Sequence, residues 1–256
     1  DAETVALEPP AEYPNDGFGR VVAGYGGPLD GTFQSRVGVT AGADTPFRVV
    51  PLLIGDALRL DSSTLDDCED EAICDPGGGG AIVGLPAWAD RELCLATAAP
   101  ATGQIRIGCE DDVNDFVLLG GPAGEGLGAS AAALEAELPF GRAVFGAPDA
   151  PGGGAVYRLP DGAGPAALDL SAAAGTGDGL GAALALAPLD DATVLVAAAA
   201  TGGPERRVVV ALAEAADGAV STDVRACLDA SIAGFGDVLA AGDLDGDGTP
   251  DLAVGF

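Results

Sequence analysis

The 256-residue chain carries 40 Asp and Glu against 11 basic residues, for a formal net charge of −29, and it has no His and no Met. Every basic residue is Arg, so a Ser–His–Asp triad, a Cys–His pair, a Schiff-base or P-loop lysine and a His-bearing zinc site are all excluded. A charge this negative repels nucleic acid and anionic membrane surfaces and attracts cations. Apolar residues make up 48 % of the chain, enough for a buried core, but they fall in short runs broken by 41 Gly and 18 Pro. No run approaches the roughly 18 residues that a membrane-spanning helix needs, so no transmembrane segment is expected. Short apolar runs between Gly and Pro clusters predict strands and turns, hence an all-β chain. A start at Asp1 without a leader pattern fits a mature secreted chain or an excised piece.

In chain order, residues 5–8 read as an outer strand, and the bracket Gly17-Phe18-Gly19 follows. Pro28-Leu29-Asp30-Gly31-Thr32 reads as a turn that keeps one acid. Cys68 and Cys74 flank an acidic stretch, while Cys94 and Cys109 flank a segment that fits two strands and a turn. Local pairing of Cys68 with Cys74 and of Cys94 with Cys109 is expected, although four cysteines allow three connectivities. Disulfides imply an oxidising compartment. Cys227 is left over, either as a buried thiol or with a partner elsewhere. Beyond 120 come three more brackets: Gly126-Leu127-Gly128, Gly179-Leu180-Gly181 and Gly234-Phe235-Gly236. Each precedes a first strand (129–134, 182–187 and 237–242) and then a second strand ending in small residues (143–146, 194–197 and 252–255). Third strands follow at 155–159 and 207–212, and a weaker fourth at 167–170.

The central bracket residues stand at 18, 127, 180 and 235, so the last two gaps are 53 and 55 and the first, 109, is close to two periods. The skipped copy falls near 73, beside the run 77–80, and reads as a degenerate unit with a Cys-rich insertion at about 61–112. Four strands per ~54 residues is the unit of a β-propeller blade, and the chain holds about 4.5 such units. A β-sandwich accounts for the strands but not for a bracket that recurs at constant spacing. The expected fold is therefore a single β-propeller of four-stranded blades, or part of one, over 1–256. Its fifth unit reaches only a second strand by Phe256, and an uncovered blade edge invites strand addition by a partner or a second copy.

Residues 243–251 read Asp-Leu-Asp-Gly-Asp-Gly-Thr-Pro-Asp. The side chains of Asp243, Asp245, Asp247 and Asp251, with the carbonyl of Thr249, converge on one hard cation. Four carboxylates in so short a loop repel one another unless neutralised. Ca²⁺, which takes about 6–8 oxygens at ~2.3–2.6 Å, fits better than Mg²⁺, which holds its waters and demands stricter geometry. An EF-hand would carry Glu where Val254 stands and continue into a helix, whereas 251–255 reads as a strand. The stretch Glu110, Asp111, Asp112, Val113, Asn114, Asp115 is a candidate for a second, abbreviated site. The glycine series at 124, 126, 128 and at 175, 177, 179, 181 lack G-x-G-x-x-G spacing and a βαβ context, so they read as turn glycines. Trp88 is the one indole, too little aromatic surface for a sugar platform.

The bracket Gly234-Phe235-Gly236, the loop 243–251, the following Leu252-Ala253-Val254-Gly255 and the ending Phe145-Gly146-Ala147-Pro148 resemble the FG-GAP repeats of integrin α-subunit-like β-propellers. The resemblance covers 124–256 and, more loosely, 15–50. It implies a propeller, typically seven-bladed, with Ca²⁺ in hairpin loops of some blades. It also implies a secreted or cell-surface, non-enzymatic role in adhesion, recognition or structural assembly, with a protein or extracellular-matrix partner. Some bacterial examples are attached to secreted enzymes, so the alternative is an accessory domain of a polysaccharide- or ester-cleaving enzyme. The sequence departs from the pattern where Asp190-Asp191 sits in a shortened loop and where Arg142 takes the place that Asp251 holds in the last unit.

Overall fold

The computed structural model describes residues 22–29, 32–41, 48–54, 59–60 and most of 80–256; within that last span it omits 90, 110–111, 122, 135–137, 139, 171–178, 203–205, 215, 217–218, 220–224 and 227–232. The described residues form strands, turns and connecting segments without a helix. The first sheet holds β1 (Val22–Leu29), β2 (Thr32–Ala41), β3 (Arg48–Ile54) and β4 (Arg59–Leu60). The second holds β5 (Ile82–Trp88), β6 (Arg91–Ala99), β7 (Gln104–Cys109) and β8 (Asp112–Gly120). The third holds β9 (Ser130–Ala133), β10 (Ala143–Ala147), β11 (Ala155–Leu159) and β12 (Ala166–Leu168). The fourth holds β13 (Leu180–Pro188), β14 (Thr193–Ala200), β15 (Arg207–Glu214) and β16 (Arg225–Ala226), and β17 (Val238–Gly242) pairs with β18 (Asp251–Gly255) in the fifth. Every sheet is an antiparallel meander in which strand order follows chain order.

The sheets pack in sequence. The first strands touch one another down the series, β1 with β5, β5 with β9, β9 with β13 and β13 with β17. The core is accordingly a set of layers between neighbouring sheets. Period-two alternation places Val194, Val196, Ala198 and Ala200 of β14 in the layer shared with the third sheet. Ala197 and Ala199 of the same strand face the layer shared with the fifth. In β10, Val144 serves one layer while Ala143, Phe145 and Ala147 serve the other. Strands buried on both faces explain why the inner segments are continuously small and apolar rather than alternating with polar residues.

The brackets make this spacing possible. Both glycines of each described bracket are left-handed: Gly126 and Gly128 at φ 71° and 88°, Gly179 and Gly181 at 65° and 95°, Gly234 and Gly236 at 84° and 80°. The residue between them (Leu127, Leu180 or Phe235) is buried as a plug between two sheets. The second glycine lies against the second strand of the preceding sheet. A Cβ at Gly128 would stand 2.0 Å from Ala98 Cβ, one at Gly181 2.9 Å from Gly146 Cα, and one at Gly236 3.2 Å from Ala199 Cβ. The bracket also bonds its own sheet, with Gly128 N–H donating to Gly146 O at 2.7 Å and Gly236 N–H to Gly255 O at 3.0 Å.

The first, second and third strands of the last units fall where the spacing puts them. The second unit differs from expectation. A four-stranded sheet runs from Ile82 to Gly120 where a degenerate copy was expected, and 61–79 of the insertion expected at about 61–112 lie outside the described residues. The glycine run before it lacks an apolar central residue. Gly80 packs against the second strand of its own sheet, where a Cβ would overlap Ala98 O. The Cys94–Cys109 bond is present and joins directly opposed residues of β6 and β7 inside the buried layer. Closing a loop of 15 residues contributes about 3 kcal/mol by the chain-entropy account. The strand expected at 5–8, the first bracket, Cys68, Cys74 and Cys227 lie outside the described residues. Tyr157 Oη of β11 donates to Glu125 Oε2 at 3.0 Å, fastening the approach to the second bracket. Burial, then the hydrogen bond to Glu125 and its charge, push that phenol above its ordinary value of 10.0.

Gly128 and Gly124 separate the two demands on glycine, because Gly124 is also left-handed, at φ 80°, but has open space where a Cβ would go. Gly124→Ala carries only the conformational cost, about 1 kcal/mol. Gly128→Ala carries in addition an overpacking cost of about 1–3 kcal/mol. Urea unfolding of the two variants checks this, and equal losses would contradict the close approach of the sheets.

Candidate metal centre

Strands β17 and β18 pair from Val238↔Gly255 to Gly242↔Asp251, so residues 243–250 form the hairpin loop. Two features hold it open as a cup. Gly246 and Gly248 take φ 81° and 84°, conformations that a side chain resists. Pro250 disfavours helical backbone at Thr249 and sends the chain extended into β18.

Backbone amides then orient the carboxylates. Asp243 accepts from Gly246 N–H at 2.7 Å through Oδ1 and from Gly248 N–H at 2.9 Å through Oδ2. Asp245 Oδ1 accepts from Asp247 N–H at 3.1 Å, and Asp247 Oδ1 accepts from Thr249 N–H at 2.7 Å. Leu244 N–H donates to Asp251 Oδ2 at 3.1 Å, which ties the far end of the loop back to its start. Asp243, Asp245 and Asp247 each bring a carboxylate oxygen to within 4.8 Å of the other two, all three side chains being exposed. The three acids at alternate positions thus form a group able to hold a metal ion. Asp251 is bonded to the loop but stands outside that group of three, and Thr249 sits at its rim.

Like charges ~4 Å apart repel by about 1 kcal/mol per pair in water, more where solvent is partly excluded. The amide bonds offset part of this, and a divalent cation would reverse it. Oxygens alone make up the donor set, which suits a hard cation rather than zinc or copper.

The corresponding first hairpins of the other sheets are built differently. The first and second sheets turn in two residues, between Leu29↔Thr32 and Trp88↔Arg91. In the fourth sheet Asp190 Oδ1 accepts from Ala192 N–H at 2.8 Å, closing a short turn on itself. Of the candidate second site at 110–115, residues 112–115 belong to β8, with Asp112 paired to Cys109, and 110–111 lie outside the described residues. Trp88 is buried and offers no stacking platform. Sequence reading did not foresee how Arg142, buried at the exit of the β9–β10 loop, is used: its Nη2 lies 3.7 Å from Asp161 Oδ2. An arginine where a loop acid was expected was the available signal.

No protein-family model matches the chain, and no curated protein matches it. No helix among the described residues is long and apolar enough to cross a membrane.

Asp245→Asn keeps the acceptor for Asp247 N–H and removes one charge. With divalent ions chelated, this variant gains up to about 1 kcal/mol over the parent, the repulsion of one neighbouring pair in water. With divalent ions in excess the sign reverses. Chemical unfolding under both conditions checks it, and the same sign in both would show that the cluster binds no cation.

Proposed function

We propose that this chain is a calcium-binding module of an FG-GAP-type β-propeller, extracellular and non-enzymatic, that acts in adhesion, recognition or surface assembly with a protein or matrix partner. The observation that carries this reading is the three-carboxylate group of Asp243, Asp245 and Asp247, arranged by backbone amides in a hairpin of a serially repeated sheet. Meanders in chain order, first strands packed on first strands and a glycine bracket before the third, fourth and fifth sheets support the propeller blade as the unit. The Cys94–Cys109 bond supports an oxidising, extracellular setting.

In this reading Ca²⁺ is a structural ion. Asp243, Asp245, Asp247 and Asp251, with the Thr249 carbonyl, are its ligands. Binding removes the repulsion among the acids and fixes the hairpin, so that β17 and β18 present one surface to a partner. A net charge of −29 favours basic partner surfaces and speeds their encounter at low salt.

Differential scanning calorimetry of the chain with Ca²⁺, with Mg²⁺ and with chelator tests the reading. Ca²⁺ at about 100 times its dissociation constant adds about 2.7 kcal/mol of stability and raises the unfolding temperature, while Mg²⁺ at equal concentration does less. An unfolding temperature indifferent to Ca²⁺ would remove the proposed role of the ion.

A further inference from the structure

The bracket contacts align the sheets residue by residue. Gly128, Gly181 and Gly236 meet Ala98, Gly146 and Ala199 of the preceding sheets, and Gly128 and Gly236 donate to Gly146 and Gly255 of their own. Ala98, Gly146, Ala199 and Gly255 are therefore equivalent. Four residues earlier stand Cys94, Arg142, Leu195 and Asp251, of which Arg142 and Asp251 lie at the exit of a first hairpin. In the fifth sheet that position is an acid tied into the candidate metal loop. In the third it is a buried cation supplied by the chain.

The surroundings of Arg142 are those of a fastening. Its backbone N–H donates to Leu159 O of β11 at 3.0 Å, and its backbone carbonyl accepts from Leu134 N–H, just after β9, at 2.8 Å. Arg158 Nη1 donates to Phe140 O at 2.9 Å, two residues before it. The Arg142 guanidinium faces Asp161, in the turn after β11, at 3.7 Å. The other oxygen of Asp161 accepts from Ala89 N–H, at 2.5 Å, in the first hairpin turn of the second sheet. Ala89 takes φ 52°, a left-handed conformation that costs a non-glycine residue energy and persists only when its surroundings hold it.

We propose that Arg142 is a built-in substitute for a metal ion: standing where the fifth sheet has Asp251, its guanidinium holds Asp161, and through Asp161 it clamps the first hairpin turn of the second sheet, so that this turn keeps its shape without a divalent cation. Arg142 is thus a positioning residue whose effect is read one sheet away. Only the comparison with the fifth sheet rests on the calcium reading; the clamp stands without it.

Amide hydrogen exchange on the full chain tests this. In chelator, Arg142→Met, which keeps an apolar stem, and Asp161→Ala, at a side chain already 45 % exposed, each speed exchange at Ala89 by about tenfold or more. Amides of β14 and β15 stay as they were. Adding Ca²⁺ to the parent slows exchange over 243–251 and leaves 140–143 and Ala89 unchanged. Parent-like exchange at Ala89 in either variant would overturn the clamp, and where Arg142→Met is not recovered folded, Asp161→Ala decides. A Ca²⁺ response at 140–143 would overturn the metal-free hairpin. Indifference at 243–251 alone would count against the calcium reading and leave the clamp standing.

Discussion

The structure depends on how closely consecutive sheets approach at the glycine brackets. At Gly128, Gly181 and Gly236 the next sheet begins against the backbone or a single methyl group of the one before. No larger side chain fits at that distance, and the left-handed backbone of both bracket glycines excludes most residues independently. The rest follows. The inner strands of the third and fourth sheets are rich in Ala, Val and Leu because they are covered on both faces, and Leu127, Leu180 and Phe235 plug the gaps between sheets. Apolar burial is spread over successive layers, each of which exists only when two sheets are in register. Such a chain gains its stability from neighbour to neighbour, as repeat proteins do.

With the inner edges fixed this way, the first hairpins are free to vary. Equivalent second-strand positions carry a cysteine bonded across to the third strand, a buried arginine, a leucine and an aspartate. The arginine and the aspartate stand at the exit of a first hairpin, the one paired with Asp161 and the other, in our reading, part of a metal loop. The acidic loop is the one among them whose geometry depends on the solution, because its charges favour the cup only when a cation is present. A chain at −29 overall has an ample supply of acids for this, but abundance is not organisation. What distinguishes 243–251 is that successive backbone amides aim the carboxylates inward.

Much of this was legible in sequence, for physical reasons. The brackets stood out because a left-handed, Cβ-free position admits essentially glycine alone, and the strands after them because burial on both faces leaves unbroken apolar runs. The bond between Cys94 and Cys109 was readable because a two-strand hairpin with that spacing sets the two residues opposite each other. The second sheet was not read as complete, since a run of glycines without an apolar central residue precedes it and β5 carries Pro86 and Trp88 in place of small residues. The acids at 110–115 read as a candidate site because composition does not reveal that β8 begins at Asp112, paired with Cys109. The tie from Arg142 through Asp161 to Ala89 spans two sheets and 72 residues between its last two members, a contact that only the packing of the sheets creates.

The most direct test is X-ray diffraction from crystals grown in Ca²⁺, with anomalous data collected to locate the ion. The account predicts an anomalous peak in the β17–β18 hairpin, with carboxylate oxygens of Asp243, Asp245, Asp247 and Asp251 and the Thr249 carbonyl at about 2.3–2.6 Å. It also predicts that hairpin to be borne on a sheet seated against Ala199 through Gly236. An ordered loop with no peak and Asp251 turned to solvent would contradict the account.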